Sequence, residues 1–357
     1  EIFEEKKKVH SVSVISPDGT HTEICADIFV VCAGGIESTR LLLLPDITHP
    51  HGIGNEFGQV GKYLMNHPKN NYGTILLKKP IVNAPYIFGY LHNGFARYAG
   101  LRIHEDIQKK LGLLNSYVRF EPMYPWTDSK GVYSLITLTK KMNFFLTWWK
   151  KRQTGIVQMK DWNETGDDND SVVNRKSETR VFSLMASILF DIRAVIEYAV
   201  SRLNKHSAIP VKKLRIRNFM EMEPALSNTL TLGSELDILG NPLPVVHTST
   251  SELDRTSLIQ LHRYLEEEIR KANLGTYIGN LEEEVTWPIH FDASHHLGGT
   301  IMGNDPHSSV VNSDLKIHST LNMYVCSGSV FPSSGCANPT YTICALAIRL
   351  ADHLKAL

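Results

Sequence analysis

The run Asp27-Ile28-Phe29-Val30-Val31-Cys32, closed by Ala33-Gly34-Gly35, restricts the fold of this chain more than any other stretch. An apolar run without alternation suits a strand buried on both faces. Such strands belong to parallel sheets flanked by helices, so the expected class is α/β. The glycines turn the chain, and Glu37 to Leu44 reads as a short helix stopped by Pro45.

Around that strand the pattern alternates between two kinds of element. Val9 to Ile15 and Thr20 to Ile24 flank Pro17-Asp18-Gly19 as a hairpin. Residues 46–72, rich in Gly, His, Asn and Pro, read as loop. Tyr72 to Leu77, Ser116 to Pro122, Val132 to Thr139 and Lys205 to Asn218 read as strands of a second layer. Thr229 to Leu232 and Pro244 to His247 suit a pair joined through the turn-rich 237–242. Three helices are expected: Val181 to Leu203, Ser251 to Ala272 and Tyr341 to Leu357. The second is capped by Ser251 or Asp254 and sets Leu258, Leu261, Leu265 and Ile269 on one face. The stretch from Asp161 to Arg180 reads as a loop or flap.

A length of 357 residues allows one large or two ordinary domains. Lys and Arg total 37, as do Asp and Glu, so no global field favours nucleic acid. Lys213, Arg215 and Arg217 then read as the solvent face of a strand. Cys25, Cys32, Cys326, Cys336 and Cys344 are irregularly spaced, which argues against a disulfide framework or a zinc site. Buried thiols are expected, and they favour a reducing, cytoplasmic-type compartment. No stretch of about 18 uncharged apolar residues marks a membrane span. Phe144, Phe145, Trp148 and Trp149 before Lys150, Lys151 and Arg152 suit a membrane or partner surface, although core packing is the commoner fate of aromatics.

The chemistry concentrates near the C-terminus, in His295-His296-Leu297-Gly298-Gly299-Thr300-Ile301-Met302-Gly303 and Asn338-Pro339-Thr340. A histidine before a glycine-rich turn, then a strand, then an asparagine at a helix entrance can remove a hydride from an alcohol. A neutral imidazole accepts the hydroxyl proton, and an amide steadies the oxygen left behind. Asn338 can equally cap the last helix, with Pro339 in its first turn. A zinc reading of His290, His295 and His296 lacks the spacing of a metal-binding helix.

These motifs, with Tyr324-Val325 through Gly328-Ser329-Val330-Phe331-Pro332, resemble the C-terminal portion of the glucose–methanol–choline (GMC) oxidoreductases. The 26–43 block and Gly58-x-x-Gly61-Lys62-Tyr63-Leu64-Met65-Asn66-His67-Pro68 resemble two further segments of that family in matching order. The resemblance implies FAD as cofactor and oxidation of an alcohol, with a sugar or polyol expected as the small-molecule substrate. Oxygen, a quinone or another acceptor takes the electrons onward. It assigns His296 as the catalytic base, Asn338 as its partner and His295 as support. It also places Gly328, Ser329, Pro339 and Thr340 beside the cofactor. Ala33, Gly34 and Gly35 either approach FAD or serve only the turn, and Asn66 and His67 either face the flavin or pack a loop.

Two departures stand out. Ser327-Gly328-Ser329 stands where relatives carry other residues. No Gly-x-Gly-x-x-Gly follows a strand, and the glycines at 52, 54 and 58 have the wrong spacing. The expectation is therefore an incomplete FAD-binding unit in residues 1–72 and 291–357, with a sheet-and-helix substrate layer in 73–290. A non-catalytic piece, or a subunit relying on a separate nucleotide-binding chain, is the alternative.

Overall fold

The computed structural model describes residues 2–5, 7–16, 18–45, 49–82, 84, 87, 90–92, 95–97, 99–140, 181–203, 210–284 and 295–357. The aromatic cluster 144–149 with its basic tail, the 161–180 stretch and His290 lie outside these residues.

The chain opens with β1 (Ile2–Glu5), β2 (Lys8–Ile15) and β3 (His21–Cys25), an antiparallel sheet containing the expected hairpin. Strand β4 (Phe29–Val31) runs into helix α1 (Gly34–Leu43). Next come β5 (Lys69–Asn70), β6 (Thr74–Ile81), the small pair β7 (Tyr90–His92) and β8 (Phe95–Arg97), and β9 (Leu101–Arg102). Helix α2 (Glu105–Leu111) leads to β10 (Tyr117–Met123), followed by helix α3 over 130–140. Helices α4 (Val181–Phe190) and α5 (Ile192–Leu203) precede β11 (Val211–Phe219) and the hairpin β12 (Thr229–Leu236) and β13 (Pro242–His247). Helix α6 (Glu252–Lys271), β14 (Gly275–Ile278), β15 (Met323–Val325) and helix α7 (Thr340–Lys355) complete the described elements.

Two cores organise these elements. In the first, β15 pairs in parallel with β4, and Phe29, Val31, Leu42, Met323, Val325 and Leu350 are buried together. In the second, an antiparallel sheet of order β14-β6-β11-β10-β9 packs its apolar face on α6. Leu258, Leu261, Leu265 and Ile269, the expected stripe, are buried there against Ile75, Leu214 and Ile216. A small third cluster of Met65, Met222 and Leu297 comes from segments far apart in sequence.

Several expectations are corrected. Residues 132–139 are helical, because the Ser129 hydroxyl accepts the Val132 amide and starts a helical turn. The single helix expected over 181–203 is divided at Asp191, whose carboxylate accepts hydrogen bonds from the Ser129 hydroxyl and the Gly131 amide. Strand β4 is not buried on both faces: Phe29 and Val31 point into the first core, whereas Val30 lies on the opposite face and is 39% exposed. Arg217 is not a free surface charge, since its guanidinium donates to Glu121 and lies over the Phe219 ring. Arg215 pairs with Asp128. The thiols are not uniformly buried: Cys326 is, whereas Cys25, Cys32 and Cys344 are exposed. Among the described residues, no helix is long and apolar enough to cross a membrane.

Candidate active site

The segment 295–303 is the hub of the molecule. Leu297 and Met65 exchange backbone hydrogen bonds of 2.9 and 2.8 Å, joining the hub to the 61–67 loop. Gly61 donates to the Gly299 carbonyl at 2.7 Å, and Gly299 donates to Lys62 at 3.1 Å. On the opposite side Gly298, Thr300 and Met302 donate to Gly328, Ser329 and Val330. This ladder explains why the glycines lie where they do, since the main chains approach too closely for side chains.

His296 sits in the tightest part of that ladder. A Cβ added to Gly35 would stand 2.2 Å from the His296 carbonyl oxygen, and one added to Gly328 would stand 2.8 Å from the same oxygen. The first turn of α7 closes the arrangement, with an Ile343 methyl 3.7 Å from that Gly328 position. Gly35, far away in sequence, and Gly328 therefore meet at one carbonyl. The His296 side chain is half-buried and Asn338 is exposed.

The remaining site residues fall into distinct roles. Asn66 is buried, and its side-chain oxygen accepts the amides of His67 and, at 3.3 Å, His295. The His67 ring, 1% exposed, meets the His295 ring edge-on at 5.5 Å. Ser329 is fully buried, and its hydroxyl is tied to Thr300 and Ser327 at 2.6 Å each. The residue departing from the resemblance thus braces the hub with its side chain. Pro339, buried, is the N-cap of α7, which corrects the expectation that the Asn338 side chain caps that helix. Thr340 is exposed in its first turn.

Ala33 and Gly34 are exposed, and Ala33 borders an open groove of about 480 Å³ lined also by Val12, Val30, Cys32, Leu41 and Leu239. Of the predicted residues, Ala33 alone reaches this groove, so it is separate from the His296 hub.

Sequence reasoning missed several groups that shape the site. Arg40 donates to Asp237 at 2.6 Å and to the Pro242 carbonyl at 2.8 Å, clamping the β12–β13 hairpin on α1. Tyr117 stacks on Phe219 at 4.6 Å, and the guanidinium groups of Arg119 and Arg217 lie over that ring. Burial pushes the Glu121 carboxyl up, but hydrogen bonds from Arg119 and Arg217 outweigh this and hold it below the ordinary range. Alternating Arg and aromatic residues on 117–121 and 215–219 were a visible signal. The Thr300–Ser329–Ser327 chain left none, because hydroxyls that meet across nearly thirty residues follow no local period.

With this geometry in place, comparison with known proteins is informative. The GMC oxidoreductase family model matches residues 224–347, which include His296, Gly328 and Asn338. Over these residues the chain is similar to the C-terminal domain of the GMC oxidoreductases. The chain is 26% identical over 352 residues to the fructose dehydrogenase large subunit of Gluconobacter japonicus, covering 98% of this chain and 51% of that protein. It is 27% identical over 341 residues to 2-methyl-1,2-propanediol dehydrogenase of Mycolicibacterium austroafricanum, covering 94% and 49%. Paromamine 6'-oxidase of Streptomyces fradiae is 35% identical over 142 residues, covering 40% and 25%. The chain therefore spans about half the length of the first two relatives. By name, these relatives are two dehydrogenases and an oxidase.

Proposed function

We propose that the chain carries the reaction-bearing half of an FAD-dependent oxidoreductase acting on the CH–OH group of a sugar or polyol. The observation that carries this reading is the meeting of Gly35 and Gly328 on the His296 main chain, with the first turn of α7 packed beside Gly328. Residues 1–72 and 291–357 then form one cofactor-side unit around the first core, and 73–290 supplies the substrate layer around the second.

The residues present fit a dinucleotide. Gly34 has a φ of +85° and nothing within 4 Å of a would-be Cβ, so the turn after β4 offers bare, open backbone. Ala33, Gly34 and Gly35 would hold the nucleotide end. Gly328, the Ser329 main chain, Asn66-His67 and Pro339-Thr340 would line the flavin end. FAD bound there supplies the acceptor for the hydride.

The chain's own part is proton handling and orientation. His296 accepts the hydroxyl proton at its imidazole, which makes hydride loss from the same carbon favourable. Asn338 donates its amide to the oxygen as negative charge builds, and the α7 N-terminus adds its dipole in the same sense. His295 and Asn66 fix the backbone leading into His296. Replacing His296 by Ala in the flavin-loaded protein is expected to slow anaerobic flavin reduction by a panel of sugars and polyols about a hundredfold or more. An unchanged rate would remove His296 from the reaction.

A second reading has an observation in its favour. Among the described residues the β4–β15 pair is a two-stranded parallel sheet with an open face, whereas parallel strands are ordinarily covered on both sides. A separate nucleotide-binding chain could complete it. Visible flavin absorbance in this chain purified alone excludes that reading, and flavin retained only with a partner supports it.

A further inference from the structure

At the edge of the first core lie two thiols that the proposed reaction does not use, Cys326 within it and Cys32 exposed beside it. Strands β4 and β15 are registered Met323 to Phe29, Tyr324 to Val30 and Val325 to Val31. The Cys326 amide continues the ladder by donating to the Val31 carbonyl at 2.9 Å. One step further along, the register sets Cys32 and Cys326 side by side on the two strands. Neighbouring strands lie about 4.8 Å apart, within the Cα separation of roughly 4.4–6.8 Å that a disulfide bridges.

We propose that Cys32 and Cys326 form a redox-active dithiol, which a hydroperoxide converts into an intrachain disulfide joining β4 to β15. The two cysteines divide the work by exposure. Cys32 is exposed, so it is the thiol that meets the oxidant. Cys326 is 8% exposed and is shielded from direct attack. The Cys32 thiolate attacks the outer peroxide oxygen, the O–O bond breaks, and water or an alcohol leaves with the proton. Cys326 then attacks the sulfenic sulfur of Cys32, the S–S bond forms and water departs. Two thiols lose two electrons and the peroxide gains them. Burial pushes both thiols above the ordinary range, so the resting state is the protonated pair and oxidation accelerates as pH rises.

The position of the pair gives the bond a consequence. Cys32 directly precedes Ala33-Gly34-Gly35, and Cys326 directly precedes Ser327-Gly328-Ser329. Both turns grip the His296 main chain, so the disulfide would fix the spacing of the two jaws. Cys25 faces Ser11 across its hairpin, and Cys344 is exposed on α7, so these two serve as internal controls.

The test treats the reduced native chain with a small excess of hydrogen peroxide. Remaining thiols are alkylated, the chain is digested without reductant, and linked peptides are mapped by mass. The expected result is a predominant Cys32–Cys326 link, reversed by dithiothreitol, with Cys25 and Cys344 alkylated. Cys326→Ser should instead arrest Cys32 as a dimedone-reactive sulfenic acid. The proposal is overturned if Cys32 and Cys326 remain alkylatable while other thiols oxidise. It is equally overturned if the link forms in no greater yield in the native chain than in urea.

Discussion

His262 keeps an uncharged ring inside the second core. Its Nε2 contacts the Asn218 side-chain oxygen and its Nδ1 the Tyr277 hydroxyl, both at 2.7 Å. Burial lowers its pKa to about 4, whereas an unfolded histidine titrates near 6.5. Between those values the unfolded chain binds a proton that the folded chain refuses. Stability from this group is therefore complete above about pH 6.5 and is lost as pH falls toward 4, by up to about 3 kcal/mol. Urea midpoints measured across that window should fall steeply for the native chain and less for His262→Gln; equal slopes would assign the acid sensitivity elsewhere. Gly35 supplies a second test. Gly35→Ala places a methyl 2.2 Å from the His296 carbonyl and should cost about 1–3 kcal/mol through overpacking, visible as a lower melting temperature. At this scale the sequence offered a motif at His296 and Asn338, on which the proposed chemistry rests. It was silent on His262, because its partners Asn218 and Tyr277 are fixed only when β11, β14 and α6 pack together.

Helix α6 shows how an element's boundaries become legible. Ser251 accepts the Asp254 amide at 3.0 Å and Asp254 returns the bond to the Ser251 amide at 2.8 Å, completing a capping box. The same carboxylate also accepts the Glu223 amide at 2.8 Å, tying the helix to the segment after β11. Ser251→Ala should cost about 1 kcal/mol, the ordinary loss of a cap. Asp254→Ala leaves two backbone donors without their acceptor and should cost about 2–3 kcal/mol. Denaturant midpoints showing Ser251→Ala as the worse variant would refute the shared role of Asp254. Local signals of this kind gave α6, the β2–β3 hairpin and the β12–β13 pair. They misled at 132–139, where β-branched residues suggested a strand. There the helix is set by Ser129, whose hydroxyl is also engaged by Asp191, some sixty residues away in sequence. Tertiary contact overrode intrinsic preference.

For the whole molecule, the open side of β4 decides how the proposed activity is assembled. Val30 is 39% exposed, Leu41 likewise, and on α7 Tyr341 and Ile348 are 87% and 65% exposed. The apolar run at 28–32 was readable as a strand made for burial, yet among the described residues the burial it anticipates is only half realised. Strand composition reports the environment in which a strand works, and that environment includes whatever covers the open face. The proposed FAD-dependent activity then makes a specific demand. A charge at position 30 should leave this chain's own fold intact, because the side chain touches solvent there. It should nonetheless impair the assembled protein, where the face is covered and an unpaired charge is costly. Val30→Asp is accordingly expected to change the melting temperature of the isolated chain by no more than about 0.5 kcal/mol equivalent, the usual range for surface substitutions. Flavin content per mole of the working protein should drop at least severalfold in the same variant. Full flavin loading in Val30→Asp would mean that this face stays in water during function, and that the nucleotide is held from another side.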